Sequence, residues 1–190
     1  MKRIVIFASG SGSNAQKITE YFSFSDVARV VSIFSNRKDA GVLQRAAATN
    51  IPVVVFDRVD FYETDLVLRK LENANPDLIV LAGFLWKVPK NIVSAFDKRI
   101  INIHPALLPK YGGKGMYGDN VHRAVIENRE KKSGITIHHV NDNYDEGKII
   151  FQAECAVEEN DTPDALAQKI HVLEHKHFPE VIEKILENFL

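Results

Sequence analysis

A single cysteine, Cys155, is all that the 190 residues contain, so no intrachain disulfide can form. The lone thiol reads as a small core residue. Charge of one sign is missing too: 24 Lys and Arg against 25 Asp and Glu leave a net charge of −1. No long basic run occurs, which argues against nucleic acid as a partner and leaves room only for a local basic pocket. Long hydrophobic runs are absent. The stretch Ile4 to Ala8 is too short for a signal peptide core, and nothing approaches the ~20 apolar residues that span a bilayer. The expectation is a cytoplasmic protein with no membrane partner. No repeat, low-complexity tract or linker interrupts the chain. What is present, 45% hydrophobic and 26% charged residues, suits one globular domain with a full core.

Short apolar runs alternate with amphipathic stretches. Ile4–Ala8, Val27–Phe34, Val53–Phe56, Leu78–Ala82 and Arg99–Ile103 read as strands. Asn14–Phe22, Gly41–Thr49, Tyr62–Asn73 and Pro89–Phe96 read as the helices between them. Continuous rather than alternating apolar strands argue for burial on both faces, hence an α/β fold with one doubly wound, mostly parallel sheet flanked by helices. The pattern changes after His104. A glycine-rich stretch from Leu108 to Asn120 reads as a long loop, and His122–Asn128 as a helix. Ile135–Val140 alternates as a half-exposed strand does, and with Ile149–Ala153 it suggests a C-terminal hairpin-like strand pair. A last helix opens at Thr162-Pro163, and Pro179 should kink or divide it.

The run Asn102-Ile103-His104-Pro105 carries the most chemistry. Residues two apart share one face of a strand, so Asn102 and His104 project side by side, and Pro105 ends the strand. An amide that can hydrogen-bond a carbonyl oxygen then stands beside an imidazole that can move a proton near neutral pH. The turn Ser9-Gly10-Ser11-Gly12-Ser13-Asn14-Ala15 sits between the first strand and the first helix, where backbone N–H groups can meet an anion. It matches G-x-G-x-x-G/A, but Phe34-Ser35-Asn36-Arg37 stands where a ribose-binding acid is required. Arg37 would suit a 2′-phosphate, so an NADP-dependent reductase is an alternative on this motif alone. Phosphate on Gly12, Ser13 and Asn14 is the preferred reading.

Two metal-like patterns are set aside. His171-Val172-Leu173-Glu174-His175 fits H-x-x-E-H, with both imidazoles on one helix face, but no third ligand is evident. The acidic turn Asn141–Gly147 has Glu146 at the sixth place, where a calcium loop needs glycine. No metal is expected. His122, His138 and His139 read as strand or surface residues without a ligand role.

Gly12-Ser13-Asn14, Leu81-Ala82-Gly83-Phe84, Asn102-Ile103-His104-Pro105-Ala106-Leu107-Leu108-Pro109, Asp142–Gly147 and Glu174-His175 follow one another in this order. As a set the chain resembles the phosphoribosylglycinamide formyltransferases of the folate-dependent formyltransferase family, over essentially its whole length. The resemblance implies a Rossmann-like formyltransferase fold in a single domain over residues 1–190, with a nucleotide-binding half to about residue 100 and a folate and catalytic half after it. It implies transfer of a formyl group from 10-formyltetrahydrofolate, as co-substrate, to the amine of 5-phosphoribosylglycinamide, with no metal and no nicotinamide. Asn102, His104 and Asp145 carry over as catalytic: Asn102 on the formyl oxygen, His104 in its protonated form, and Asp145 orienting His104. Gly12, Ser13, Asn14 and Glu174 carry over to the phosphoribosylglycinamide. Leu85, Trp86, Lys87, Val88, Asn102, Asn141 and Asp142 carry over to the folate.

Departures from the family pattern are equally specific. His171 stands where relatives often have Gln, Leu85-Trp86 where they often have Met-Arg, and Asp60-Phe61-Tyr62 where an arginine reaches the folate. Lys110 is placed near the phosphate, and the loop from Lys110 to Val121 is either a lid or a surface insertion. Partners are small molecules, with the protein a monomer or homodimer. A related formyltransferase or formyltetrahydrofolate hydrolase is the alternative within the family. Such relatives carry a further regulatory or basic domain that this chain is expected to lack.

Overall fold

The computed structural model describes residues 1–188. In chain order they form β1 (Lys2–Phe7), α1 (Ser13–Phe22), β2 (Ala28–Ser35), α2 (Gly41–Ala48), β3 (Val53–Val55), α3 (Arg58–Tyr62), α4 (Leu66–Ala74) and β4 (Leu78–Leu81). Then follow α5 (Lys90–Ala95), β5 (Ile100–His104), α6 (Asp119–Glu127), β6 (Lys132–His139), β7 (Ile149–Ala156) and α7 (Pro163–Glu187). One sheet of seven strands runs β3-β2-β1-β4-β5-β6-β7. The first five are parallel, and β6 and β7 join antiparallel. The doubly wound, mostly parallel sheet and its final strand pair agree with the sequence reading.

The strands are apolar on both faces because helices cover both. Ile4, Ile6, Val80, Ile101 and Ile103 pack with Ile18 and Phe22 of α1, Val121 and Val125 of α6, and Ile170 and Phe178 of α7. Val5, Phe7, Ile79 and Ile100 face the other way, onto Phe61, Val67, Leu71 and Ile92. Strand order reverses between β1 and β4, which lie side by side while their following helices diverge. A crevice opens at the carboxyl ends of strands at such a point.

Three expectations need correction. The single helix at 62–73 is two helices. An Asp57–Asp60 capping box starts α3 four residues earlier, and the Thr64 hydroxyl donates to the Asp60 carbonyl, competing with continuation. Pro179 does not divide α7, which runs unbroken to Glu187. One lost hydrogen bond is outweighed there by burial of Phe178, Pro179, Val181 and Ile182. Finally, β6 is not half exposed: Ser133 to His138 are all buried. Its polar face is roofed by the segment after β5, where Thr136 Oγ1 donates to the Ala106 carbonyl and accepts from the Leu108 N–H.

Candidate active site

A cavity of about 520 Å³ fills the crevice. Gly10 to Asn14, the 83–88 segment, Asn102, His104, the glycine-rich loop, the 140–145 turn and α7 all contribute to its wall.

At its middle, antiparallel pairing does what sequence spacing did not reveal. Register sets Asn102 of β5 opposite His138 of β6. His138 Nδ1 lies 2.8 Å from the His139 carbonyl. A carbonyl only accepts, so Nδ1 carries the proton and Nε2 is an acceptor. Asn102 Nδ2 donates to that Nε2 at 3.1 Å, which fixes the amide orientation. Its second N–H is only loosely held, 3.5 Å from Asp145 Oδ1. His138 is therefore a site residue that the sequence reading passed over. The signal that could have found it was the cross-strand register, which one sequence does not contain.

His104 is buried and hydrogen-bonded at one nitrogen. Nε2 donates to the Tyr111 carbonyl at 2.7 Å, and Nδ1 faces Asp145 Oδ2 at 3.6 Å. Burial pushes its pKa down, and this outweighs the upward pull of Asp145 and of the Tyr111 carbonyl. The shift favours the neutral imidazole at rest. Asp145 is held by the chain at φ +55°, a left-handed conformation. Burial raises its carboxyl, but the His138 and His104 rings in their charged forms and the Gly113 N–H at 2.9 Å bring it below the usual range. Gly147 makes the turn possible, since a Cβ there would meet the His139 carbonyl oxygen at 1.6 Å.

One end of the cavity is the start of α1. Gly12 caps the helix at φ +77°, where a Cβ would also collide with Val42 at 2.6 Å. Ser13 and Asn14 follow, their N–H groups in the first turn and free of intrahelical acceptors. Asn14 Nδ2 donates to Glu174 Oε2 at 2.9 Å. Burial pushes the Glu174 carboxyl up, against the opposing effects of Asn14 and His171. His122, passed over in the sequence, is also in this wall. His171 and His175 stack at 6.0 Å between ring centroids, with Glu174 turned onto Asn14.

The other end is an apolar shelf. Leu85, Trp86, Lys87 and Val88 line it with Val140, Asn141, Asn143 and Tyr144. Trp86 rests on Phe56, Phe61 and Phe84, and the Lys87 ammonium lies 5.7 Å from the Tyr144 ring. Asp142 does not join this wall. It faces a smaller depression beside Tyr62, Lys87 and Lys90, because the 141–145 turn carries its side chain outward. Arg58 lies over Tyr62 and Trp86, 5.1 and 6.0 Å from their rings.

Two further expectations change. Lys110 pairs with Glu130 at 2.8 Å and takes no part in the cavity wall. Arg37 forks onto Asp39 at 3.2 and 2.9 Å and is likewise outside it, so the residue that would read an NADP 2′-phosphate is engaged elsewhere. The loop is no idle insertion: Gly113 to Gly118 wall the cavity, and Tyr111 and Gly113 bond His104 and Asp145.

A doubly wound sheet, a free helix N-terminus, and an amide–imidazole–carboxylate group between them define a site for anion recognition and carbonyl chemistry. The sequence matches the formyl transferase family over residues 2–182, and the chain belongs to that family. The resemblance read from the motifs is thereby borne out. A chloroplastic phosphoribosylglycinamide formyltransferase of Arabidopsis thaliana is 43% identical over 192 residues, covering 98% of this chain and 66% of that protein. This chain thus spans a little less than two thirds of that relative. The phosphoribosylglycinamide formyltransferase of Bacillus subtilis (strain 168) is 33% identical, covering 98% of this chain and 95% of that one. The crystal structure of glycinamide ribonucleotide transformylase 1 from Symbiobacterium toebii superposes with TM-score 0.91 at 34% identity, covering 99% of this chain and 89% of that chain.

Proposed function

We propose that this protein transfers the formyl group of 10-formyltetrahydrofolate to the amine of 5-phosphoribosylglycinamide, a step of de novo purine (IMP) biosynthesis. The carrying observation is the Asn102–His104–Asp145 group midway between a helix N-terminus and an apolar shelf. The shelf of Leu85, Trp86, Val88 and Val140 suits a flat ring system, and the α1 turn suits a phosphate. The folate supplies the formyl group and leaves as the departing nitrogen.

Asn102 turns its loosely held N–H onto the formyl oxygen as the amine attacks and negative charge develops there. His104, neutral at rest, takes the amine proton at Nδ1, where the anionic Asp145 stabilises the imidazolium. His104 then returns that proton to the folate nitrogen as the carbon–nitrogen bond breaks. One N–C bond forms, one breaks, and one proton moves across, with no covalent intermediate on the protein. His138 acts through Asn102 by holding its amide in register. Residues 1–190 act as one domain in this reading, in the cytoplasm, as monomer or homodimer. Two plant relatives are named as chloroplastic.

The test is direct. Folded protein mixed with phosphoribosylglycinamide and 10-formyltetrahydrofolate should release tetrahydrofolate, followed by absorbance, with formylated amine accumulating in equal amount. Release of formate without formylated amine would replace this reading with a hydrolase. Absence of both would end it.

A further inference from the structure

Two side chains near the α1 end of the cavity lack the partners their burial requires. His122 is 4% exposed and in the cavity wall, and its buried Nδ1 has no hydrogen-bond partner among the described residues. Asn14 is 9% exposed, and its Oδ1, which only accepts, is likewise unpartnered and calls for a ligand hydroxyl beside the anion. Buried polar groups in native proteins are almost always satisfied. An orphan in a cavity wall therefore points to a partner that arrives with the ligand.

The surroundings say which partner. His171 and Asp119 face His122 from α7 and its own helix, and His104 from β5. α6 packs against α7, where Glu174 bonds Asn14, so His122 belongs to the same end of the cavity as the free N–H groups of α1. The glycine-rich loop brings Lys114 to the cavity wall. Its exposed ammonium has no ion-pair partner among the described residues, whereas Lys87 is engaged over Tyr144. N–H donors from a helix start, an unsatisfied imidazole and a free ammonium together make a site for a doubly charged oxyanion.

We propose that His122 and Lys114 complete the phosphate subsite begun by Gly12, Ser13 and Asn14, holding the phosphate of the phosphorylated ribose from the side of α6 and the loop. The identity of that ligand rests on the function proposed above. Lys114 also couples the subsite to chemistry: its loop carries the Gly113 N–H that holds Asp145.

Ribose 5-phosphate, inorganic phosphate and ribose are titrated calorimetrically into wild type, His122→Asn, His122→Phe and Lys114→Ala, with the His122 ring followed by NMR. Ribose 5-phosphate should bind roughly 10- to 100-fold more weakly to His122→Phe, the range for a lost hydrogen bond to a charged group. Lys114→Ala should weaken it several-fold, and the His122 ring should titrate at higher pH once phosphate is bound. Ribose should bind all four alike. Native-like affinity in both His122→Asn and Lys114→Ala would overturn the proposal. An effect in Lys114→Ala alone would remove His122 from it. Lys114 is exposed and His122→Asn keeps a polar side chain, so misfolding of His122→Phe does not decide the matter. Should wild type bind ribose 5-phosphate yet form no formylated product, the reaction assignment falls and the subsite stands.

Discussion

The two ends of the cavity are built on opposite physical plans. At the α1 end the contacts are buried and polar: a helix start, an Asn14–Glu174 hydrogen bond, and a His122 Nδ1 with no partner among the described residues. At the shelf end they are apolar, partly exposed, and laid on loops over an aromatic bed. A buried polar group enforces geometry, because a misplaced ligand leaves it unsatisfied. An apolar shelf enforces only shape and area. The first end is suited to selecting one small charged ligand, and the second to tolerating variation in a large one. Leu85 and Trp86 both present apolar surface to the cavity there.

The group between the two ends belongs to neither, and breaking it should have the largest effect. His104→Ala and Asp145→Ala are each expected to lower kcat by ~10²–10⁴ while leaving ribose 5-phosphate affinity near wild type. A steady-state assay paired with calorimetry checks both halves. The pH profile adds a sign. His104 must be neutral to accept the amine proton, and burial lowers its pKa. Activity should therefore persist as pH falls to the ordinary imidazole value of 6.5 and decline only below it. A decline setting in above that value would contradict the neutral resting state. Near-normal turnover in either variant would remove that residue from the mechanism.

The middle-sized effect probes the polar end. Asn14→Ala leaves the buried Glu174 carboxylate without its hydrogen bond and should cost about 1–3 kcal/mol of stability. Its dependence on pH follows from linkage. Glu174 has a raised pKa in the folded state, so the folded protein holds that proton more tightly than the unfolded chain does. This contribution is fully present below the unfolded value, 4.5, and is lost as pH rises through the folded one. Removing Asn14 raises the folded pKa further. The penalty of Asn14→Ala should thus be larger at pH 7 than at pH 4, and Glu174→Gln in the same background should flatten the difference. Urea titrations at the two values measure it. A penalty independent of pH would mean that the Asn14 amide does not act on the carboxylate.

How much of this was legible beforehand depends on which physical rule positions each part. The five parallel strands and the start of α1 are local: apolar runs and a glycine at positive φ announce themselves in a window of a few residues. Asn102 and His104 were legible because their neighbourhood comes from one strand's period of two. His138 was not, since only the register of two strands 36 residues apart puts it on Asn102. His122 was hidden for a different reason. A histidine on an amphipathic helix looks like surface until the orphaned nitrogen shows that it is buried without a partner. The direction of the His104 pKa shift also required the fold, because the sequence shows a carboxylate to raise it but not the burial that outweighs that pull.

The smallest effect is expected at the shelf, where it tests the contrast most sharply. Leu85 lines the cavity but remains 43% exposed, so truncation removes only part of a side chain's buried area when the folate binds. Leu85→Ala deletes three carbon atoms, and at partial burial that corresponds to about 1 kcal/mol, or a roughly fivefold rise in the folate KM. Because the side chain faces the cavity and is largely open, the unfolding temperature and the ribose 5-phosphate affinity should both stay at wild-type values. The polar end behaves oppositely under the same kind of truncation: Asn14→Ala should move stability, its pH dependence and nucleotide affinity together. If Leu85→Ala instead disturbed nucleotide binding as strongly as folate binding, the two ends would be coupled through the 83–88 segment. Ser9, whose hydroxyl accepts from the Leu85 N–H and donates to Asn36 beside the α1 turn, would be the connection to examine.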